Sequence, residues 1–248
     1  MEDRSFGRLS AAAAAALVLV VLSLGIGRAL VAPGQGDASA GDRPSGGDRE
    51  ANRGPTFLRG IDRIAIPFGP RRKRHMAAYS KRHYGESEWR LIRHRQIVLH
   101  YAAAPTIGSV VNTFEDPRPD PVFGERPQVC THFVIGPRRA VQTVSLRVRC
   151  RHTLGLNHVS IGIEHLGYSD REVMRSRGMR LRSLSLVRRL RCLYGIPVRD
   201  VIGHSESLRS RFYRERVQSA KGKTSPDFSR KTMRKYRKKL AARPCPAP

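Results

Sequence analysis

Three side chains with metal-binding or proton-transfer chemistry each end a short apolar run: His100, Glu164 and His204. A fourth segment, residues 222–228, offers a lysine, a serine and an aspartate. Hydrolytic zinc sites commonly use three protein ligands and keep a fourth position for water. A nearby carboxylate can take the proton of that water, and a cation can stabilise the developing oxyanion. The pattern therefore predicts a metal-assisted hydrolase whose third ligand comes from residues 222–228.

The same residue types also fit a purely structural role. A histidine at the end of a strand can be held by hydrogen bonds alone, and Glu164 can be a surface charge. Other histidines offer further ligand combinations: His132, His152, His158 and His165. His165 is a poor substitute because adjacent residues of a strand point to opposite faces. Spacing alone leaves these alternatives open.

The charge and the N-terminus restrict the partners. Lys and Arg number 47 against 20 Asp and Glu, which gives a net charge of +27 and indicates a polyanionic partner. Residues 10–27 carry no charge, are rich in Ala, Val and Leu, and are flanked by arginines. We interpret residues 1–32 as a signal peptide or signal anchor. The rest of the chain is then extracytoplasmic: secreted, cell wall-associated or anchored to the outer face of the cytoplasmic membrane, which disfavours nucleic acid as the partner.

The four cysteines are expected to form disulfides, since export permits them. They are Cys130, Cys150, Cys192 and Cys245, and no two have the Cys-x-x-Cys spacing of a cysteine-based zinc finger. Four cysteines allow three pairings. The favoured one joins Cys130 to Cys150, which flank an apparent hairpin.

The apolar patterns predict one α/β domain. Residues 33–60 are interpreted as a disordered linker, 61–241 as the domain with a basic C-terminal helix, and 242–248 as a tail. The pattern predicts five strands and two helices, because short apolar runs alternate with a segment of helical periodicity: strands at Ile97–Leu99, Phe133–Ile135, Ala140–Val144, Val159–Ile163 and Val198–Ile202, and helices at Ser183–Tyr194 and Lys231–Leu240. Side chains at the strand ends can then converge on one cleft.

The order of the motifs resembles the type 2 N-acetylmuramoyl-L-alanine amidases, which share a fold with peptidoglycan recognition proteins. The resemblance runs from about Ile64 to Leu240 and is closest to actinobacterial members. It is carried by an apolar strand ending in His100, a His-Phe-Val-Ile strand, Asn-x-x-Ser-Ile-Gly-Ile-Glu, Gly-His and Lys-Thr-x-Pro. It implies a central mixed β-sheet flanked by helices, a Zn²⁺ ion in a surface groove and peptidoglycan as the substrate. The basic charge adds anionic wall polymers as expected partners.

The resemblance also implies roles for individual residues. His100 and His204 match two zinc ligands, Glu164 matches the catalytic glutamate and Lys223 the lysine that stabilises the transition state. His152 and Asn157 match residues expected to bind substrate.

The chain departs from the family at the third ligand. Ser225 stands where an aspartate, cysteine or histidine is usual, and a neutral hydroxyl is a poor zinc ligand. Asp227 could supply the ligand, zinc could bind weakly through two histidines and water, or the site could be empty. The first outcome predicts an amidase that hydrolyses the bond between N-acetylmuramic acid and L-alanine. The last predicts a catalytically impaired peptidoglycan-binding module.

Overall fold

The computed structural model describes residues 56–246. They form a six-stranded mixed sheet in the order β1-β4-β3-β5-β2-β6, in which only β3 and β4 pair antiparallel. The strands are β1 (Asp62–Arg63), β2 (Gln96–Tyr101), β3 (Phe133–Ile135), β4 (Ala140–Gln142), β5 (Ser160–His165) and β6 (Val201–Gly203). The helices are α1 (Pro70–Tyr84), α2 (Ile107–Glu115), α3 (Asp170–Arg175), α4 (Arg177–Tyr194) and α5 (Arg230–Ala241). The predicted α/β class, a mixed sheet with flanking helices, is confirmed.

Strands β2 and β5 are neighbours in the sheet and bring two predicted site residues side by side. They pair in parallel along their whole length, with His100 opposite Glu164. Paired residues of neighbouring strands point to the same face, so both side chains project from one face near the carboxyl ends. On its other edge β2 pairs with β6, and His204 directly follows β6. The predicted convergence of the three strand ends is therefore confirmed.

The two faces of the sheet bury different clusters. Ile97 and Leu99 belong to the large core, together with buried side chains of α4 and α5. Val98 and Ile202 belong to a smaller cluster. Because side chains alternate along a strand, His100 shares the face of the smaller cluster. The site therefore lies opposite the face that carries most of the core.

Serine side chains cap helices α4 and α5 at their first turns. Ser176 Oγ accepts a hydrogen bond from Met179 N at the start of α4, and Ser229 Oγ accepts one from Thr232 N at the start of α5. The second cap fixes the start of α5 two residues beyond Asp227. Within residues 56–246, no helix combines the length and apolar character needed to cross a bilayer.

Several predicted element boundaries are wrong. Helix α4 begins at Arg177, earlier than the predicted Ser183. The predicted strand Val198–Ile202 starts as one turn of 3₁₀ helix after Pro197 and becomes a strand only at Val201–Gly203. The sequence patterns do not predict α1, α2 or α3, which have 15, nine and six residues.

The domain extends beyond its predicted limits at both ends. Residues 56–60 fall within the predicted linker, but Leu58 is buried and donates its N–H to Gln142 Oε1 at 2.9 Å. Thr56 also accepts a hydrogen bond from Gln142, so the linker prediction is wrong for residues 56–58. Residues 33–55 of the predicted linker, like the predicted signal segment 1–32, lie outside the described residues.

All four cysteines form disulfides. Cys130 pairs with Cys150, which confirms the favoured pairing, and Cys192 pairs with Cys245. The second bond fastens the predicted tail, residues 242–248, to helix α4. Residues 242–246 are therefore part of the domain.

Candidate metal centre

His100, His204 and Asp227 come together beyond the ends of β2 and β6. One ligand atom of each lies within 4.8 Å of the others. His100 Nδ1 lies 3.0 Å from Asp227 Oδ2 and 3.1 Å from His204 Nδ1, and His204 Nδ1 lies 3.4 Å from Asp227 Oδ1. His100 and Asp227 are buried, whereas His204 is partly exposed. The cluster is thus sheltered but reachable from solvent.

The donor set and its spacing fit a zinc ion. Imidazole nitrogen and carboxylate oxygen bind zinc at about 2.0–2.2 Å, which places neighbouring ligands of a tetrahedral site about 3.3 Å apart. Asp227 Oδ1 is buried and has no hydrogen-bond partner among the described residues. Buried polar atoms are nearly always satisfied. A cation between this oxygen and the two imidazoles would satisfy it.

Hydrogen bonds on both sides of Asp227 hold its loop against the end of β6. Ser205 N donates to the Asp227 carbonyl at 3.0 Å, and Ser205 Oγ donates to the Phe228 carbonyl at 2.6 Å. Thr224 Oγ1 donates to the His204 carbonyl at 2.8 Å. The loop is therefore fixed to the same two residues that follow β6, which keeps the Asp227 side chain at the cluster.

Gly203 and Phe228 allow this close approach. A Cβ on Gly203 would lie 2.2 Å from the Phe228 carbonyl oxygen, so a larger residue would push the loop away. Phe228 adopts φ 50°, a conformation uncommon for bulky residues. Its fully buried ring packs against Tyr101 and His165. The buried ring thus anchors the residue that immediately follows Asp227.

Ser225 does not belong to the cluster of potential ligands found among residues 56–246. Its loop neighbours Thr224 and Phe228 are bonded to the end of β6, and Asp227 takes the inward position. Of the three outcomes that the sequence leaves open, the geometry matches the one in which Asp227 supplies the third ligand.

The electrostatic environment favours an ionised Asp227 and a neutral His100 ring. Burial would raise the pKa of Asp227, but its hydrogen bond with His100 and its close approach to His204 outweigh burial and lower it. Burial lowers the pKa of His100, and the hydrogen bond with Asp227 offsets this only in part. A carboxylate and neutral imidazole nitrogens are the protonation states that bind a metal.

Glu164 lies beside the cluster, on the strand next to His100. Burial, and then the negative charge of Asp227, raise the pKa of Glu164 well above its ordinary value. A carboxylate with a raised pKa holds a transferred proton more readily than a solvated one does. This property suits the predicted role of Glu164 as a general base.

His152 contacts the ring of His100 on the side away from Asp227. His100 Nε2 lies 3.1 Å from His152 Nδ1, which also lies 2.8 Å from Thr153 Oγ1. If His100 Nδ1 binds a metal, the imidazole ring carries its proton on Nε2. The Nε2–H group then donates a hydrogen bond to His152 Nδ1. Such outer hydrogen bonds orient ligand histidines. His152 is partly exposed, so its expected substrate contact stays a prediction.

Gly162 makes room for the His152 ring. A Cβ at Gly162 would lie 2.7 Å from that ring. Gly162 is two residues before Glu164 on β5 and therefore shares its face. Sequence reasoning missed this positioning role, although a glycine inside a strand is a recognised sign of close approach by another group.

Asn157 has a different role from the predicted one. Its side chain is fully buried, so it offers no surface to a substrate. Asn157 Oδ1 accepts hydrogen bonds from His152 N at 2.9 Å and Thr153 N at 2.8 Å, and Nδ2 donates to Tyr79 Oη at 3.1 Å. The structure therefore makes Asn157 a positioning residue for the loop that carries His152.

Lys223 is exposed on the loop that precedes Asp227. Its ammonium lies 5.1 Å from the centre of the Phe123 ring. The structure does not pair Lys223 with Glu164 or with the three clustered residues. Its role in stabilising a transition state stays a prediction.

The other histidines named from the sequence make structural contacts. His132 Nδ1 accepts a hydrogen bond from Gly162 N at 3.1 Å. His165 lies on the opposite face from Glu164, as predicted, and bonds to the His100 carbonyl and to Ser183 Oγ, each at 2.8 Å. Within residues 56–246, neither contributes to a cluster of three potential metal ligands.

Comparisons with known proteins place this geometry in a family. The sequence profile described as N-acetylmuramoyl-L-alanine amidase matches residues 90–227, more than half of the chain. No curated protein sequence matches the chain. The matched region includes His100, Glu164, His204 and Asp227.

Solved structures of similar shape include three proteins with 17–18% sequence identity. A selenomethionine derivative of AmpD has 17% identity and a TM-score of 0.46, over 74% of this chain and 97% of that one. PlyL has 18% identity and a TM-score of 0.41, over 66% and 84%. The N-acetylmuramoyl-L-alanine amidase LysC from Clostridium intestinale URNW has 17% identity and a TM-score of 0.40, over 60% and 86%. Similarity at this level carries no argument about function, and the assignment rests on the sequence match. The chain belongs to the N-acetylmuramoyl-L-alanine amidase family.

Proposed function

We propose that this protein is a zinc-dependent amidase that hydrolyses the bond between N-acetylmuramic acid and the L-alanine of the stem peptide in peptidoglycan. The observation that carries the proposal is the unsatisfied Asp227 Oδ1, buried beside the Nδ1 atoms of His100 and His204. Family membership supplies the bond to be cleaved, and this cluster supplies a place for the metal.

The residues around the cluster have complementary tasks. Zinc held by His100, His204 and Asp227 would polarise the scissile carbonyl and lower the pKa of the attacking water. Glu164 accepts the proton of that water on its carboxylate and delivers it to the leaving amine. His152 keeps the His100 ring oriented by accepting a hydrogen bond from Nε2–H at its own Nδ1.

Lys223 is proposed to stabilise the oxyanion of the tetrahedral intermediate. Its ammonium is exposed and makes no ion pair with the described residues, so it is free to turn towards the substrate. A cation near a developing negative charge contributes most where water is excluded. Lys223 would leave the Phe123 ring to make this contact.

The alternative of an impaired wall-binding module depends on a missing third ligand. The position of Asp227 weighs against that alternative, because its carboxylate can act as the third ligand that the Ser225 hydroxyl is unsuited to provide. The enzyme is therefore the better supported of the two functions.

We propose that the protein works outside the cytoplasm, either secreted into the cell wall or anchored to the outer face of the membrane. The two disulfides support an oxidising compartment. The net charge of +27 supports attraction to anionic wall polymers. Sequencing the N-terminus of the mature protein would show whether residues 1–32 are removed.

Metal analysis combined with a cleavage assay tests the function. We expect about one zinc ion per chain and release of stem peptides with a free L-alanine amino group from purified peptidoglycan. Chelation should abolish release, and added zinc should restore it. Absence of both zinc and release in metal-supplemented protein would overturn the proposal.

A further inference from the structure

A cleft of about 400 Å³ separates helices α3 and α5. Its walls carry eight residues: Asp170, Arg171, Met174, Arg175, Ser229, Lys231, Thr232 and Lys235. Four of the eight are cations, two on each helix. The cleft thus concentrates positive charge at a place that the proposed hydrolysis does not use.

The cations form two facing pairs. Arg171 and Arg175 lie one turn apart on α3, and Lys231 and Lys235 lie one turn apart on α5. All four side chains are exposed, and none has an ion pair with another described residue. Like charges one turn apart destabilise a helix. Four such charges around one cleft therefore favour an anionic occupant.

The acidic group in the cleft is already engaged. Asp170 is the only carboxylate among the lining residues, and its Oδ2 accepts hydrogen bonds from Ser229 N at 3.1 Å and Ser229 Oγ at 2.8 Å. These bonds join the start of α3 to the cap of α5, two residues beyond Asp227. Asp170 therefore fixes the cleft to the loop of the metal centre, and its single negative charge faces four cations.

Another cation of α5 shows the contrast. Arg237 makes hydrogen bonds of 2.6 Å and 2.9 Å to the two carboxylate oxygens of Glu206. The helix therefore pairs a cation that faces the body of the domain, while Lys231 and Lys235 face α3 unpaired.

We infer that this cleft binds the backbone of a phosphodiester polymer. Cations on two opposite walls suit a charge that can be approached from both sides. A phosphodiester carries its charge within the polymer backbone, on two oxygens that point in different directions. A carboxylate polymer carries its charge at the ends of side branches, which would reach one wall at a time. The site is separate from the metal centre and needs neither zinc nor hydrolysis.

Binding of a labelled poly(glycerol phosphate) oligomer to the full chain tests the inference. The test variant replaces the four cations by glutamine: Arg171→Gln, Arg175→Gln, Lys231→Gln and Lys235→Gln. We expect binding at least about ten-fold weaker and a dependence on salt less steep by about 3 units in the plot of log K against log salt. Cleavage of a soluble muramyl peptide without phosphate should not change.

A control variant removes the same charge elsewhere, from exposed cations without ion pairs in the described part of the chain: Arg74→Gln, Lys81→Gln, Arg138→Gln and Arg199→Gln. We expect this variant to keep most of the affinity. An equal loss of affinity in both variants would mean that binding depends only on net charge, and it would overturn the proposal that the cleft is the binding site. Equal affinity of the wild type for polyglutamate would overturn the choice of phosphodiester. Because binding is measured with zinc-free as well as zinc-loaded protein, failure of the amidase proposal would not affect the result.

Discussion

Asp227 Oδ2 lies 3.0 Å from His100 Nδ1, although 127 residues separate them in the chain. The contact joins strand β2 to a loop that is held against the end of β6. The loop is held by backbone and side-chain hydrogen bonds to His204 and Ser205. A ligand that is fixed in this way is preorganised for a metal.

Replacing Asp227 should therefore remove the metal. We expect Asp227→Ala to lower zinc affinity by more than about 100-fold, because loss of an outer-shell partner alone costs about 10–100-fold. Ser225→Ala should keep about one zinc per chain and serves as the matched control. Dialysis against a competing chelator, followed by metal analysis, measures both variants. Zinc loss in Ser225→Ala alone would assign the ligand to Ser225 instead.

Replacing Glu164 should separate catalysis from metal binding. Glu164→Gln keeps the size of the side chain but cannot accept the proton of water, so we expect cleavage to fall by about 10²–10⁴-fold. Zinc content should stay at the wild-type value because Glu164 is not in the ligand cluster. Glu115→Gln, at an exposed glutamate without an ion pair among the described residues, should retain full activity. Full activity in Glu164→Gln would show that another group takes the proton.

A methyl group at Gly162 should weaken the metal site without touching a ligand. The added Cβ would lie 2.7 Å from the His152 ring and would displace it from His100. We expect Gly162→Ala and His152→Ala each to lower zinc affinity by about 10–100-fold. Gly69→Ala is the control, since its Cβ would meet no atom within 4 Å. Wild-type zinc affinity in both site variants, measured by competition with a chelating dye, would contradict the positioning role of His152.

The stability of the domain should fall as the pH rises above 6.5 because of His83. The buried His83 ring lies between Glu215, 2.8 Å from its Nδ1, and Glu125, 3.1 Å from its Nε2. Burial alone would lower the pKa of His83, but the hydrogen bonds and charges of the two glutamates raise it above its ordinary value of 6.5. A raised folded-state pKa contributes stability below pH 6.5, and that contribution disappears as the pH rises through the folded-state pKa.

Urea unfolding between pH 5 and 9 measures this contribution. The free energy of unfolding of the wild type should fall across the upper part of that range, whereas His83→Gln should lack this fall. His83 stacks on Tyr79, with ring centres 3.9 Å apart, and Tyr79 accepts a hydrogen bond from Asn157. We therefore expect the loop that carries His152 to become less stable over the same pH range. A pH profile of His83→Gln identical to that of the wild type would place the titrating group elsewhere.

The positions of the strand-end residues can be predicted from the sequence because each strand appears as a short local run of apolar residues. His100, Glu164 and His204 follow apolar runs, and parallel pairing of those runs necessarily brings their ends together. The choice between Ser225 and Asp227 is different. It depends on Gly203 and on contacts that the loop makes with a strand more than 20 residues earlier, and no local pattern contains that information.

The role of Asn157 likewise depends on packing that its local sequence does not contain. Its place in a motif indicates importance but not whether it faces the groove or the interior. Tyr79, 78 residues away, occupies its amide and helps to bury it. Long-range packing therefore decides between contact with a substrate and support of a neighbour.

The bond between Cys192 and Cys245 encloses a stretch of chain that contains His204, Asp227 and the whole of α5. A single proteolytic cut anywhere in that stretch would leave two fragments that are still covalently joined. His204 and Asp227 of the candidate metal centre and the lysines of α5 would then remain attached to the domain. In an environment rich in proteases, the protein could be nicked and still keep its parts, until a reductant released them.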